Sequence, residues 1–308
     1  LSPPQPTHGQ SAALPNRPRA RWAGAAMHNS AFNCCIPKGV IAICDLLSQP
    51  IDERIVYPKR YRAAANEVFA ITLIITWIVT LIFYPKQIFE HPARSIIGSF
   101  NPCFGWDYAP ASYIAIVFTS ANVYYLWRFA WLDLTRTHLL RPSGSLNCTE
   151  RFQKWSGIGL AISANMWLLL WVVGPVGTPN AAGLPGKDGN WLGHTAFFVL
   201  YATFSYLAAL GDLLEIRASP LSPMVQTHHY VFIGVYGAST FLLAAAYLYA
   251  VFNHDASAPP ALPGWTTQTV DLVWIGCVAS VNSLTPTGLP LVQQMSLAKA
   301  EDLEVLLA

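Results

Sequence analysis

The chain has 308 residues, of which 53% are hydrophobic and only 11% are charged, and its formal net charge is +2. Because a soluble domain usually carries about a quarter charged residues, this composition excludes an ordinary soluble globular protein and is typical of a membrane protein. The small net charge, without a basic stripe interleaved with aromatic residues, gives no reason to expect a nucleic acid as a partner.

The first segment, residues 1–65, is predicted to be an extramembrane N-terminal arm that is polar and rich in proline. Arg17, Arg19 and Arg21 all precede the first acidic residue, Asp45. A basic segment that is poor in acids is typical of an organelle import region. We therefore expect a protein imported into mitochondria.

Six apolar runs follow the arm, and each is long enough to cross a bilayer as a helix. The runs are too long and too continuous to be barrel strands, which leaves helices as the way to satisfy the backbone in lipid. The sequence therefore predicts an all-α integral membrane helical bundle over residues 66–292, with a short C-terminal tail over 293–308. Six transmembrane helices are expected, with seven as the alternative. The runs are 68–84, 109–127, 156–173, 191–210, 230–252 and 270–286.

The basic residues predict the orientation of this bundle. In a six-span arrangement, fifteen of the 18 Lys and Arg residues fall on the side that holds both termini, and three fall on the opposite side. Positive residues accumulate on the negative side of a membrane. Both termini are therefore expected on the matrix or cytosolic side.

Histidine and cysteine supply no recognisable ligand set. His194, His228 and His229 lie near predicted helix ends, where a structural or interfacial role is favoured over haem or metal ligation. The six cysteines form no C-x-x-C pair, and packed free thiols are favoured over a disulfide framework. No G-x-S-x-G motif is present. We expect no catalytic residue, and no metal or cofactor bound by this chain.

The last run begins with an unusual stretch, PGWTTQTVDLVWIG at residues 263–276. It places Asp271 near the membrane edge between Trp265 and Trp274. Two interpretations are open: the acid fixes the depth and rotation of the last helix by bonding a neighbour, or it is a solvated carboxylate favoured by the helix dipole.

Other polar and small residues mark the fourth and fifth runs. The acids Asp212 and Glu215 lie at the membrane edge, where the fourth run ends. Gly234 and Gly237 lie three residues apart on one helix face, and small residues of this kind allow two helices to approach closely.

Several short motifs, in chain order over residues 120–280, resemble subunit III of cytochrome c oxidase. The pattern from Trp265 through Val270-Asp271 to Trp274 is similar to the Trp-rich entry and V-D-x-V-W run of that family's last helix. Weaker similarities lie upstream. The sequence from Gly234 to Gly237 is similar to the family's G-F-H-G, and Asp212 to Glu215 is similar to its E-Y-Y-E. Asp133 and Arg136 are similar to its D-x-x-R, and Gln153-Lys154 is similar to its Q-K.

The chain also departs from that family in two ways. The family has seven helices with its termini on opposite sides, whereas six are counted here, with a Gly/Pro-rich loop at 174–189 in place of the fourth. The acid within the family's third helix is missing, since this chain has Ser163-Ala164-Asn165 in that region.

The resemblance implies a non-redox structural subunit of a respiratory complex in the mitochondrial inner membrane. Such a subunit braces the catalytic subunit that holds haem and copper, binds no metal itself, and holds phospholipid in a cleft between its first two helices and the rest. The implied partners are other subunits of the complex and phospholipids.

Two alternatives remain open. The first is a free-standing six-span lipid-handling or lipid-sensing protein, since the Pro-containing first loop at 101–110 and His194 resemble features of the Frag1/DRAM/Sfk1 group. The second is an accessory respiratory-complex subunit of no known family.

Overall fold

The residues that the structure describes form six long helices and one pair of two-residue strands. The structure, a computed structural model, describes residues 55–56, 58–91, 94, 97–107, 109–140, 148–173, 191–217, 223–252, 264–284 and 295–296. The long helices are α1 (Pro58–Phe83), α2 (Ala111–Leu140), α3 (Cys148–Val173), α4 (Trp191–Arg217), α5 (Pro223–Phe252) and α6 (Gly264–Leu284). The strands are β1 (Ile55–Val56) and β2 (Met295–Ser296). Most of the predicted arm and tail lies outside the described residues.

Three of the six long helices are long and apolar enough to cross a membrane. The qualifying segments are Tyr61–Phe83 in α1, Gly193–Leu214 in α4 and Thr227–Ala250 in α5. Among the described residues, α2, α3 and α6 do not combine the same apolarity and low charge over a bilayer-spanning window. The predicted helical architecture is confirmed, while a count of six membrane crossings stays a prediction.

The helices extend beyond the apolar runs that predict them. Helix α1 begins at Pro58, inside the segment predicted as the arm, and α2 continues to Leu140, beyond the predicted end at 127. Helix α6 begins at Gly264, so Asp271 lies about two turns inside it. Hydropathy does not detect these extensions, because it identifies only the part of a helix that would lie in hydrocarbon. The ends of these helices carry polar and charged residues.

Hydrogen bonds join neighbouring helices, and α4 and α5 run antiparallel, since Phe198 contacts Tyr247 while Ser205 contacts Tyr236. The Asn122 Nδ2 of α2 donates to the Ala65 carbonyl oxygen of α1 at 2.7 Å. The hydroxyl of Tyr236 on α5 donates to the Ser205 Oγ of α4 at 2.8 Å. Helix α6 returns to α1, where the Asn66 Nδ2 donates to the Val278 carbonyl oxygen at 2.9 Å. Buried polar groups thus join α1 to α2 and α4 to α5, and they also join the first helix, α1, to the last, α6.

The chain segments that precede α1 and follow α6 meet through the strands β1 and β2. The strands pair antiparallel, with Ile55 opposite Ser296 and Val56 opposite Met295. The residues just before α1 therefore lie beside residues that follow α6. This short ladder was not predicted, and it departs from a purely helical fold.

The segment between α1 and α2 folds inward instead of forming an exposed connection. It contains a short helix, Lys86–Phe89, and a 3₁₀ turn, Pro102–Gly105. The Trp77 indole N–H donates to the Pro102 carbonyl oxygen and the Thr80 hydroxyl donates to the Gly105 carbonyl oxygen. These bonds satisfy backbone acceptors that would otherwise be unpaired when the segment is buried.

Two glycines singled out from the sequence have different surroundings on α5. A Cβ built on Gly237 would lie 2.9 Å from the end of the Tyr206 ring on α4, so this position does permit close helix approach. A Cβ on Gly234 would meet nothing within 4 Å, and this glycine is exposed. The packing role expected for Gly234 therefore has no counterpart inside the described bundle and stays a prediction.

Gly105 is the closest backbone approach in the inward-folded segment, and it gives a direct test of the packing. A Cβ there would lie 2.9 Å from the backbone N and Cα of Trp77, which cannot move without shifting α1. We predict that Gly105→Ala lowers the free energy of unfolding by about 1–3 kcal/mol, measured by thermal unfolding in detergent micelles.

Gly276→Ala on α6 is the matched control, because a Cβ there would meet nothing within 4 Å. We expect it to be neutral or slightly stabilising, since alanine favours a helix over glycine. Equal melting temperatures for the two variants would contradict the close approach of Gly105 to Trp77.

Candidate functional site

Polar side chains from three separate elements meet at one end of the bundle. We define the loop end as the end where α1, α3 and α5 finish and α2, α4 and α6 begin. The Asn101 Nδ2 donates to the Tyr247 hydroxyl oxygen, and that hydroxyl donates to the Asp271 carboxylate, with 3.1 Å to Oδ1 and 3.0 Å to Oδ2. This hydrogen-bonded chain runs from the inward-folded segment through α5 to α6.

Asp271 is 3% exposed, which places its carboxylate inside the bundle. This burial is at odds with a solvated carboxylate at a helix start. A buried carboxylate is costly unless donors reach it, and the Tyr247 hydroxyl is such a donor. The geometry agrees with the interpretation that Asp271 fixes the rotation of α6, since only one face of that helix can reach Tyr247.

Trp274 is also a core residue, 2% exposed and one turn after Asp271. Its ring packs edge-on against Phe69 of α1 and Phe198 of α4, with centroids 6.0 and 5.4 Å apart. Such aromatic pairs add about 0.5–1.5 kcal/mol beyond the area they bury. Trp274 therefore packs inside the bundle. The side chain of Trp265 lies outside the described residues.

A second polar contact lies in the inward-folded segment itself. The Nε2 of His91 lies 2.9 Å from the Asp107 Oδ2, and both side chains are buried. The His91 ring stacks on Phe104 with centroids 3.9 Å apart and planes 9° apart. These contacts join the start of the segment to its end and make it compact.

His194 lies at the same end of the bundle, at the start of α4. The centroid of its ring lies 5.9 Å from the ring centroid of Trp167. The Trp167 ring centroid lies 6.0 Å from that of Trp106, in the inward-folded segment. Among the residues that the structure describes, no group of three or more His, Cys, Asp or Glu side chains could hold a metal ion.

The opposite end of the bundle holds a buried ion pair between α1 and α4. Arg62 bonds Asp212 through Nη2 and donates from Nη1 to the Ala208 carbonyl oxygen at 3.3 Å. Its guanidinium also lies 5.3 Å from the centre of the Phe129 ring. Asp212 was predicted at the membrane edge, whereas here it is a buried partner. The side chain of Glu215 lies outside the described residues.

Sequence reasoning missed most of the partners in these contacts. Arg62 and Asp212 are 150 residues apart, and Asn101 and Tyr247 are 146 apart, so no local pattern links them. One signal was available: the stretch FNPCFGW at 100–106 is too aromatic for an exposed connection.

Comparison of the chain with protein-family models, with curated proteins and with solved structures finds no match.

The buried carboxylate gives the first test of this site. We predict that Asp271→Leu lowers the free energy of unfolding by about 1–3 kcal/mol, because the Tyr247 hydroxyl then loses its acceptor in a buried place. Asp271→Asn should cost less, since the amide oxygen can still accept that bond. Thermal unfolding in detergent micelles measures both, and equal losses would contradict the hydrogen-bonded role of Asp271.

The buried ion pair gives the second test. We predict that Arg62→Ala costs about 3–5 kcal/mol of stability, because it leaves the Asp212 carboxylate buried without its cation. Lys86→Ala is the control, since Lys86 is exposed and surface charges contribute little. A loss for Arg62→Ala no greater than that for Lys86→Ala, in the same unfolding assay, would show that the pair does not stabilise the bundle.

Proposed function

We propose that this protein is a non-redox structural subunit of a larger membrane assembly, which acts through its apolar outer surface. The observation that carries the proposal is a strip of exposed apolar residues along α5. Its large side chains run from the start to the end of the helix: Tyr230, Val231, Val235, Phe241, Leu242, Tyr249 and Phe252.

The strip has the dimensions of a membrane-facing surface. It covers 22 residues of helical rise, which is about 33 Å and close to the thickness of the hydrocarbon core. Phe241 and Phe252 are 73% and 72% exposed. Apolar surface of this extent needs lipid or another protein to cover it. Ile74, Ile78 and Ile82 form a second exposed strip on α1.

The polar interior supports a bracing role. The described hydrogen bonds of Asp271, Tyr247, Asn101 and Arg62 join parts of this chain to one another. Their observed contacts therefore contribute to internal cohesion, which a subunit that braces a partner requires. The finer proposal follows from the resemblance: a subunit III-like component of cytochrome c oxidase in the mitochondrial inner membrane.

The resemblance implies phospholipid in a cleft between the first two helices and the rest. In the described bundle, α2 packs on α3 at Phe129 and Gly157, and α1 packs on α6 at Phe69 and Trp274. These contacts join the first two helices to the rest of the described bundle. We therefore propose that phospholipid lies against the outer strips of α1 and α5.

One observation favours a second candidate, a free-standing lipid-handling protein. The two features that resemble that group, the loop at 101–110 and His194, come together at the loop end through Trp106 and Trp167. This meeting of the two resembling features at one end of the bundle is what supports the second candidate.

Native gels separate these proposals. We predict that the chain, solubilised from its own membranes in mild detergent, migrates in a high-mass band that stains for haem, and that Asp271→Leu reduces its amount there without shifting the haem spectrum of the remaining complex. Migration as a solitary band from endomembrane fractions would contradict the subunit proposal and favour the second candidate. A shifted haem spectrum with intact assembly would contradict a purely bracing role.

A further inference from the structure

We propose that residues 100–107, which we name the latch, close the loop end of the bundle over a small interior cavity and open as a unit when the Tyr247 hydroxyl releases them. The inference concerns the internal architecture of the chain and does not depend on the proposed function.

Hydrogen bonds attach the latch to three helices. Helix α1 holds it through the Trp77 and Thr80 bonds to the carbonyl oxygens of Pro102 and Gly105. Helix α6 holds it through the Phe100 backbone N–H, which donates to the Gln268 Oε1 at 3.0 Å. Helix α5 holds it through the Tyr247 hydroxyl.

Among the groups that bond the latch, the Tyr247 hydroxyl is the one whose loss would free the latch most. It accepts from Asn101 and donates to Asp271, so its one oxygen joins the latch to α5 and α6 at the same time. Hydrogen bonds in such a chain polarise and strengthen one another. Loss of this single hydroxyl removes both hydrogen bonds. The Asn101 amide then loses its acceptor, and the Asp271 carboxylate loses the donor that the hydroxyl supplied.

The latch is compact enough to move as one piece. The Asn101 Oδ1 accepts from the Cys103 backbone N–H at 2.6 Å, which caps the 3₁₀ turn. Asp107, at its end, bonds His91, and Phe104 stacks on the same His91 ring. The Asn101 cap lies within the latch, and His91, outside it, holds its far end, so neither contact depends on α5 or α6.

Behind the latch is a small cavity whose wall includes Trp106 of the latch itself. Thr72, Asn122 and Tyr201 contribute polar groups to the same wall. The Tyr201 side chain is 3% exposed. Most of the wall is apolar and comes from Phe69, Ala164 and the two tryptophans Trp106 and Trp167. Movement of Trp106 with the latch would give water a path to this cavity.

The latch carries its own reporter, the thiol of Cys103. This side chain is buried, and burial raises the pKa of the thiol well above its ordinary value, with the nearby Asp107 adding to the effect. Because the thiolate is the reactive form, the closed latch should react slowly with maleimide. Its labelling rate should then track how often the latch opens.

The test uses the full chain in detergent micelles, with Cys34, Cys35, Cys44 and Cys148 replaced by serine. Cys103 and Cys277 remain, and both are buried. N-ethylmaleimide labelling of each thiol is followed by mass spectrometry. We predict that Tyr247→Phe raises the labelling rate of Cys103 about tenfold, as expected when two hydrogen bonds are lost. The rate at Cys277, on α6, should rise much less, because only unfolding of the bundle itself exposes that thiol.

Tyr230→Phe is the matched control, because this tyrosine is on the same helix and is exposed. It should leave both rates unchanged. An unchanged rate at Cys103 in Tyr247→Phe would overturn the proposal, and so would an equal rise at Cys277, since that would show the whole bundle loosening rather than the latch opening.

A milder variant keeps the test decisive if Tyr247→Phe does not fold. Gln268→Ala removes one acceptor of the latch and leaves the Tyr247 hydroxyl in place. We expect a rise of about threefold at Cys103 alone, in line with the loss of one hydrogen bond. No rise at Cys103, or the same rise at both thiols, would count against the latch.

Discussion

The structure depends on one constraint: polar groups inside a helical bundle must find partners within it. Asp271 illustrates this, because its carboxylate is buried and accepts the Tyr247 hydroxyl, which accepts from Asn101 in turn. The same requirement explains Arg62 with Asp212 at the other end. Each of these contacts joins elements distant in sequence, so satisfying the polar groups also fixes how the helices and the inward-folded segment are arranged.

Aromatic packing fills the space between these two polar ends. Phe69, Trp167, Phe198, Tyr201 and Trp274 contact one another through edge-on and tilted ring pairs with centroids 5.2 to 6.0 Å apart. Four different helices supply these rings. The bundle is therefore held by a rigid apolar centre with polar connections at its ends, while large apolar side chains on α1 and α5 face outward.

The sequence was sufficient to locate the helices and insufficient to pair them. Apolar runs identified the start of α4 at residue 191 and the ends of α3 and α5 at 173 and 252. They missed the start of α1 at Pro58, because lysine and arginine there lower the hydropathy of a segment that is nonetheless helical. Asp271 was identified as the residue to explain, but Tyr247 was not, since a tyrosine in an apolar helix gives no sign of which neighbour it faces. Spacing alone also does not say which face of α5 meets α4, so it could not distinguish the surroundings of Gly234 from those of Gly237.

The central claim is that the hydrogen bond from the Tyr247 hydroxyl to the Asp271 carboxylate stabilises the bundle. A double-mutant cycle of Tyr247→Phe and Asp271→Leu measures that coupling directly as the difference between the double variant and the sum of the two singles. We expect the double variant to lose less stability than that sum, with a coupling of about 1–3 kcal/mol, because each single variant leaves a buried partner unsatisfied. Strictly additive losses would show that the two side chains act independently and would contradict this account.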